Sequence, residues 1–222
     1  WMHIGFIHGV MNTDNMTISG ETIDYGPCAF MDIFSMDTVF SSIDTHGRYK
    51  YGSQAHAAQW NLARLADSLL PLLHKDPEKA VKLAEVAIES YSSTFNHAWI
   101  TGMRSKLGLF GEEVDDFSLA QSLLDWMQTS KSDYTRTFRD LTQENLPESG
   151  LYNSPEFQKW HMLWKARLTR NSKSQKASFC LMRDSNPAII PNNYYVEEVL
   201  AAGEYGDLKP FLALLEALKN PF

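Results

Sequence analysis

Apolar residues recur at intervals of three and four positions along most of the chain after residue 53, and this spacing predicts a mainly α protein. Two of the predicted helices begin at an Asp or Ser that is followed by Pro and Glu, a typical helix start. The predicted helices span residues 54–73, 76–98, 112–130, 133–143, 154–168, 195–202 and 208–218. Because an amphipathic helix must bury its apolar face, the leucine and tryptophan stripes are predicted to form the core. Two helices supply most of these positions: Ala58, Trp60, Leu62, Leu65, Leu69, Leu72, Trp160, Leu163, Trp164 and Leu168.

A different pattern occupies the first thirty residues, where two strand-like triplets, 16–18 and 21–23, flank a turn signal at Ser19-Gly20. A two-residue turn there would fix an antiparallel register in which Asn15 lies opposite Asp24. Directly opposed residues share one face of a hairpin, so the amide and the carboxylate would lie within reach of one cation. The apolar residues of both triplets would share the other face and be free for burial: Met16, Ile18 and Ile23.

The pair of oxygen ligands in this predicted hairpin suits Mg²⁺ or Mn²⁺, which often take few protein ligands and complete their shell with water and phosphate oxygens. Asn15 and Asp24 are therefore the predicted metal ligands. The alternative for residues 12–15 is turn chemistry, because Asn and Asp side chains hydrogen-bond their own backbone. His8 is predicted to hold this loop by hydrogen bonds, with an acid or base role as the alternative.

The order of a metal-binding Asn, a hairpin and an Asp before Gly resembles protein kinases, although the kinase His-Arg-Asp tripeptide is absent and Gly9 follows His8. A closer resemblance is to the selenoprotein O family, also called YdiU. The blocks that carry it follow the family's order over nearly the whole chain: 8–15, 24–27, 48–52, 59–65, 106–109, 186–187, 196–197 and 215–221.

This resemblance implies a kinase-like fold that transfers AMP, and not phosphate, from ATP to Ser, Thr or Tyr hydroxyls of other proteins. It implies that Asp14 accepts the proton, that Asn15 binds Mg²⁺, and that Asp24 both binds Mg²⁺ and contacts ATP. The expected fold class is mainly α. A kinase-like C-lobe over 1–111, with its metal ligands on a short N-terminal β-hairpin, would precede a helical extension over 112–222.

Two other functions stay open at this stage. Both metal ligands are compatible with transfer of the γ-phosphate by a protein kinase-type phosphotransferase, or with a non-catalytic pseudokinase module that holds ATP without turnover. The chain has no Gly-rich phosphate loop and begins at Trp1, directly before the predicted catalytic loop, so we expect it to be the C-terminal part of a longer protein. The N-lobe would then be absent, and the chain alone should be inactive.

Composition narrows the function classes further. The 222 residues are 44% apolar and 21% charged, as in ordinary globular proteins. The net charge of −7 argues against a nucleic-acid binder, and no apolar run approaches the roughly 20 residues of a membrane span. Cys28 and Cys180 lack metal or redox spacing, which predicts a reducing compartment: the cytoplasm of a bacterium or the mitochondrion of a eukaryote. Cys28 also stands where the family resemblance implies an aromatic residue, a change in packing behind the metal loop.

A basic strip over residues 165–183 stands out in this acidic chain, since it contains six Lys and Arg residues and no Asp or Glu before Asp184. One interpretation is a solvated helix end, because cations are favourable near helix C-termini. The alternative is a binding site for ATP phosphates or for an acidic stretch of substrate.

Overall fold

The computed structural model describes residues 1–143, 145–148 and 150–222, and these residues are mainly helical. Two short strands, β1 (Phe6–Ile7) and β2 (Ala29–Phe30), pair with each other. Eight helices follow in the described residues: α1 (Gln54–Leu73), α2 (Pro77–Lys106), α3 (Asp116–Ser130), α4 (Tyr134–Asp140), α5 (Pro155–Leu168), α6 (Gln175–Ser185), α7 (Asn193–Glu204) and α8 (Lys209–Leu218). The prediction of a mainly α protein is confirmed. None of the described helices is both long and apolar enough to cross a membrane.

Some helix boundaries agree with those predicted from local sequence signals, and others do not. The bounds of α1 are those predicted, although Pro71 lies within it, and α5 starts at its predicted cap, where the Ser154 side chain accepts a backbone hydrogen bond. In contrast, α2 continues to Lys106 and α3 starts later than predicted. The sequence pattern does not predict α6, because Ser178 and Met182 are the only residues of this helix that the structure buries.

The chain forms two compact units. The site unit comprises residues 7–28 and 36–99, with α1 and most of α2. The helical unit comprises residues 1–6, 29–35 and 100–222, with the end of α2 and helices α3 to α8. The sequence-based division into 1–111 and 112–222 stays a prediction.

In the site unit, α1 buries Gln54 and Asn61 and not the predicted apolar stripe. Leu69 is exposed, Leu72 is 81% exposed and Trp60 is 46% exposed, so the prediction that this stripe forms core is wrong for the described chain. The loop over residues 8–16 presents polar backbone groups to the first half of α1, where Gln54 and Asn61 lie against them. Amide side chains satisfy those groups, and leucines cannot.

In the helical unit, α5 packs against α3 and buries a row of aromatic side chains. The indole N–H of Trp160 donates to the Leu119 carbonyl and that of Trp164 donates to the Leu107 carbonyl, each at 2.9 Å. These bonds satisfy the polar edge of each buried ring. The predicted tryptophan core is confirmed here, whereas Leu163 is exposed because it lies at the edge of the face that the tryptophans bury.

A buried carboxylate, Asp116, joins three segments of the helical unit. Its two oxygens accept hydrogen bonds from Nε of Arg104 near the end of α2 and from Nε of Arg167 on α5, each at 2.7 Å. The backbone N–H of Glu113 donates to the same carboxylate at 2.9 Å. Burial alone would raise the pKa of Asp116, but these hydrogen bonds outweigh it and hold the pKa below its usual value.

Contacts with acidic and aromatic side chains divide the predicted basic strip over residues 165–183. Arg167 is buried against Asp116, and Arg170 pairs with Glu113 at 2.6 Å. The Lys173 ammonium lies 4.7 Å from the centroid of the Phe110 ring. The strip therefore does not form one continuous basic surface, and its role as a phosphate or substrate site stays a prediction.

Lys106, at the end of α2, is buried among aromatic rings in the helical unit. It is 2% exposed, and its Nζ lies 4.0 Å from the Phe138 ring centroid and 5.2 Å from that of Tyr134. Both rings attract a cation through their faces. Burial nevertheless disfavours the charged form and lowers the pKa of Lys106 to about 7.

We expect Lys106→Met to stabilise the chain and to flatten its pH dependence. The unfolded chain holds the Lys106 proton up to the ordinary lysine pKa, whereas the folded chain releases it near pH 7. Between these pKa values the wild-type free energy of unfolding should rise with pH, by at most about 1.4 kcal/mol per pH unit. Urea unfolding between pH 6.5 and 9.5 measures this slope, with the exposed Lys159→Met as control. Equal slopes in all three proteins would contradict the prediction.

Candidate active site

The loop that carries the predicted site begins at His8, whose side chain is fully buried. Its Nε2 donates to the Ile23 carbonyl at 2.7 Å, and its Nδ1 accepts from the Val10 amide at 3.4 Å. Both contacts are compatible with a neutral ring protonated at Nε2. The structure thus supports the predicted scaffold role of His8. The bond to Ile23 also ties the loop to the residue that directly precedes Asp24.

Gly9 provides a second connection between the same two segments. Its φ is +83°, and a Cβ at this position would lie 2.8 Å from the Pro27 carbonyl oxygen. Any other residue would therefore be strained in its backbone and would collide with Pro27. Glycine here lets residues 8–10 approach the end of the Asp24-Tyr25-Gly26-Pro27 segment closely.

Side chains from α1 and from the segment before it hold the middle of the loop. The Gln54 side-chain oxygen accepts from the His8 amide at 3.0 Å, and the Asn61 side-chain nitrogen donates to the Met11 carbonyl at 2.9 Å. The Tyr49 hydroxyl donates to the Asn12 side-chain oxygen at 2.5 Å.

None of these anchors is among the site residues predicted from the sequence. Their spacing could have indicated them, because Gln54 and Asn61 are seven positions apart and so place two amides on one face of a helix.

Asp14 and Asn15 lie in a 3₁₀ turn, Thr13–Asn15, at the end of the loop. The Asn15 side-chain nitrogen donates to the Val10 carbonyl at 3.0 Å, which leaves the amide oxygen as the atom able to bind a cation. Asp14 is exposed, and within the described residues its carboxylate has no hydrogen bond or ion pair. An exposed, unpaired carboxylate can accept a proton from a hydroxyl brought to it.

The predicted hairpin register is wrong by one residue. Met16 pairs with Thr22 in an antiparallel bridge, which aligns Asn15 with Ile23 and not with Asp24. The turn contains one residue more than predicted, and the Gly20 amide closes it on the Thr17 carbonyl at 3.2 Å.

A shift of one residue moves each side chain to the other face of a strand pair. Ile18, predicted to be available for burial, is 91% exposed because it lies at a central position of the turn that the Gly20 amide closes on the Thr17 carbonyl. Cross-strand pairing therefore does not explain how Asn15 and Asp24 could share a metal ion.

Asp24 has an unusual backbone conformation. Its φ is +54°, in the left-handed region that is unfavourable for residues other than glycine and only moderately tolerated by Asp and Asn. Its carbonyl accepts from the Gly26 amide at 2.8 Å, and its exposed carboxylate has no partner within the described residues. Strained residues with free polar groups are frequent at functional sites.

The donor set is compatible with a hard divalent cation. Among the residues that the structure describes, no group of three or more His, Cys, Asp or Glu side chains could hold a metal ion. A site made of one amide oxygen and one carboxylate is smaller than such a group. Both ligand types suit Mg²⁺, which usually keeps water and phosphate oxygens in its shell.

Comparison with known proteins identifies the family. The model of a family described as "Protein adenylyltransferase SelO" matches residues 1–219. The chain belongs to the SelO family. The sequence-based resemblance is thereby confirmed.

Curated relatives of this SelO chain are bacterial proteins named "Protein nucleotidyltransferase YdiU". The protein of Halalkalibacterium halodurans is 56% identical over 223 residues, which cover 100% of this chain and 45% of that protein. The Alkaliphilus metalliredigens protein is 55% identical, with 100% and 45% coverage, and a Bacillus cereus protein is 53% identical, with 100% and 46% coverage. The chain thus spans about half the length of these relatives.

We expect Asn61→Leu in this SelO chain to loosen the loop and to lower stability. The substitution removes the donor to the Met11 carbonyl and leaves that group buried without a partner, at a cost of about 1–3 kcal/mol. Urea unfolding measures the loss, and amide hydrogen exchange should rise over residues 10–16. Asn96→Leu, at an exposed position of α2, is the matched control. Unchanged stability and exchange in Asn61→Leu would show that Asn61 is not an anchor.

Proposed function

We propose that this chain is part of an Mg²⁺-dependent protein adenylyltransferase, which transfers AMP from ATP to Ser, Thr or Tyr hydroxyls of other proteins. The family description and the names of the relatives support nucleotidyl transfer. The structural observation that carries the proposal is a contrast between the side chains that hold the loop and those that it presents. His8, Gln54 and Asn61 are buried and hydrogen-bonded, whereas the carboxylates of Asp14 and Asp24 are exposed and unpaired within the described residues.

In the proposed reaction, the acceptor hydroxyl oxygen attacks the α-phosphorus of ATP. The bond from this phosphorus to the oxygen that bridges it to the β-phosphate breaks, and pyrophosphate leaves. Asp14 accepts the hydroxyl proton. Asn15 and Asp24 would hold Mg²⁺, which when bound neutralises charge on the phosphates, and Asp24 also contacts ATP.

The proposal includes a kinase-like C-lobe for the fold and a cytoplasmic location. The relatives named above are bacterial, and Cys28 and Cys180 are both free thiols. Free thiols are typical of reducing compartments. ATP and hydroxyl-bearing proteins are the proposed partners, and neither nucleic acid nor a membrane is.

The nature of the transferred group tests the reaction class. With the complete protein that contains this sequence, label at the α-phosphate of ATP should enter protein, and label at the γ-phosphate should not. Intact mass should increase by one AMP, and pyrophosphate should accumulate. Incorporation of γ label with release of ADP would establish a kinase instead. Binding of ATP with no transfer of either label would establish a pseudoenzyme.

Substitution of the three site residues tests their roles. We expect Asp24→Ala to abolish transfer without unfolding, because the exposed side chain buries little surface and the left-handed backbone should cost Ala only about 1 kcal/mol of stability. Asp14→Ala should slow transfer by about 10²–10⁴-fold with little effect on ATP binding, as for loss of a general base.

Glu21→Ala is the matched control, since it removes an exposed carboxylate from the same turn region. Asn15→Ala should raise the Mg²⁺ concentration needed for half-maximal rate. Near wild-type rates in folded Asp24→Ala, over a range of Mg²⁺ concentrations, would eliminate its role in metal binding.

A further inference from the structure

A small cavity of about 400 Å³ in the site unit lies beside the loop that carries Asp14. Met11 of the loop and Trp60 of α1 contribute to its wall, and so do three side chains with hydrogen-bond donors: Arg48, Ser53 and His56. None of the described residues that line it is acidic. The cavity therefore combines donors and positive charge with an aromatic surface.

The guanidinium of Arg48 is held in place by aromatic rings and not by an acid. Its Cζ lies 5.0 Å from the Trp60 ring centroid and 5.3 Å from that of Tyr49. Asp44 accepts the backbone amides of Arg48 and Tyr49 at 2.9 and 2.8 Å, which fixes the backbone beneath the side chain. Within the described residues, no carboxylate pairs with the guanidinium. Stacking occupies the face of a guanidinium and leaves its N–H edge for an anion.

A second guanidinium on the same ring provides an internal comparison. The Cζ of Arg64 lies 5.4 Å from the Trp60 centroid, but its charge is paired with Asp67 at 2.9 Å. Both guanidinium groups thus lie against the Trp60 ring, but among the described residues only that of Arg64 is paired with a carboxylate.

The cavity is close to the proposed proton acceptor. Met11 is three positions before Asp14, and three extended residues span at most about 11 Å. The Tyr49 hydroxyl connects this region to Asn12 of the same loop. An extended acceptor peptide would span the same distance with about three residues.

We propose that this cavity binds an acidic side chain, Asp or Glu, of the acceptor protein, within about three positions of the hydroxyl that is modified. The identification of the acceptor rests on the proposed function. An acidic side chain complements the unpaired Arg48 and the donors of Ser53 and His56. The phosphates of ATP are the less suitable occupant, because the proposed metal ligands, Asn15 and Asp24, would hold them.

Matched peptides test this inference with the complete protein. Each contains one central Tyr among Gly and Ala residues, with Asp or Asn at a single position from −3 to +3. Fluorescence anisotropy of labelled peptides, without ATP, gives dissociation constants that do not depend on any reaction. At one or more positions we expect at least fivefold tighter binding of the Asp peptide. Arg48→Gln should abolish that preference, and Arg64→Gln should retain it.

Several outcomes would overturn the inference. These are no preference for Asp in the wild type, a preference that survives Arg48→Gln, and a preference lost equally in Arg64→Gln. A raised KM for ATP in Arg48→Gln, with the peptide preference intact, would assign the cavity to ATP. If thermal unfolding shows that Arg48→Gln does not fold, Arg48→Met replaces it, because Met also removes the charge and keeps an apolar side chain against the Trp60 ring.

The same peptides separate this inference from the proposed function. If the Asp peptides bind with dependence on Arg48 but no protein or peptide acquires AMP, the acidic-ligand site stands and the adenylyltransferase proposal fails. If AMP is transferred without any preference for Asp, the proposed function stands and the docking inference fails.

Discussion

The site unit depends on one constraint: the backbone amides and carbonyls of its loop lie outside regular secondary structure and need other hydrogen-bond partners. Residues 8–16 contain only a 3₁₀ turn and one end of an isolated bridge, so their amides and carbonyls need side-chain partners. Gln54, Asn61 and the His8 ring supply several of them. This requirement explains why amides occupy the buried face of α1, where a helix would ordinarily place leucines.

The helical unit meets a similar requirement at the end of α2. The carbonyls of Lys106, Leu107 and Gly108 accept hydrogen bonds from the side chains of Asn186, Trp164 and Asn171, at 2.8, 2.9 and 2.8 Å. The last carbonyls of a helix have no partner within the helix, so these contacts cap it. The carboxylate of Asp116 adds two charged hydrogen bonds beside the same helix end. Buried polar side chains, as well as the aromatic rings, therefore determine how these helices pack.

In the site unit, the residues that stabilise the loop differ from those that we propose to take part in the reaction. The residues that hold the loop are buried and bonded, and those proposed to react are exposed and unpaired within the described chain. Asp24 also retains an unfavourable backbone conformation, which the bond from His8 to Ile23 and the close approach of Gly9 to Pro27 help to maintain. Such preorganised supports around free reactive groups are what a catalytic site requires.

Local signals in the sequence were sufficient for most of the helices and for the family. The bounds of α1 and the start of α5 follow from apolar spacing and from a cap, which depend only on neighbouring residues. Asp14 was predicted from the family resemblance, and Asn15 and Asp24 from both that resemblance and a hairpin register that is wrong by one residue. The roles of all three stay predictions.

The hairpin register, the buried face of α1 and the presence of α6 were decided by tertiary structure. A single extra residue in a turn changes the register, and both turn lengths were compatible with Ser19-Gly20. The face that α1 buries depends on the loop packed against it, since burial is a property of the contact and not of the helix alone.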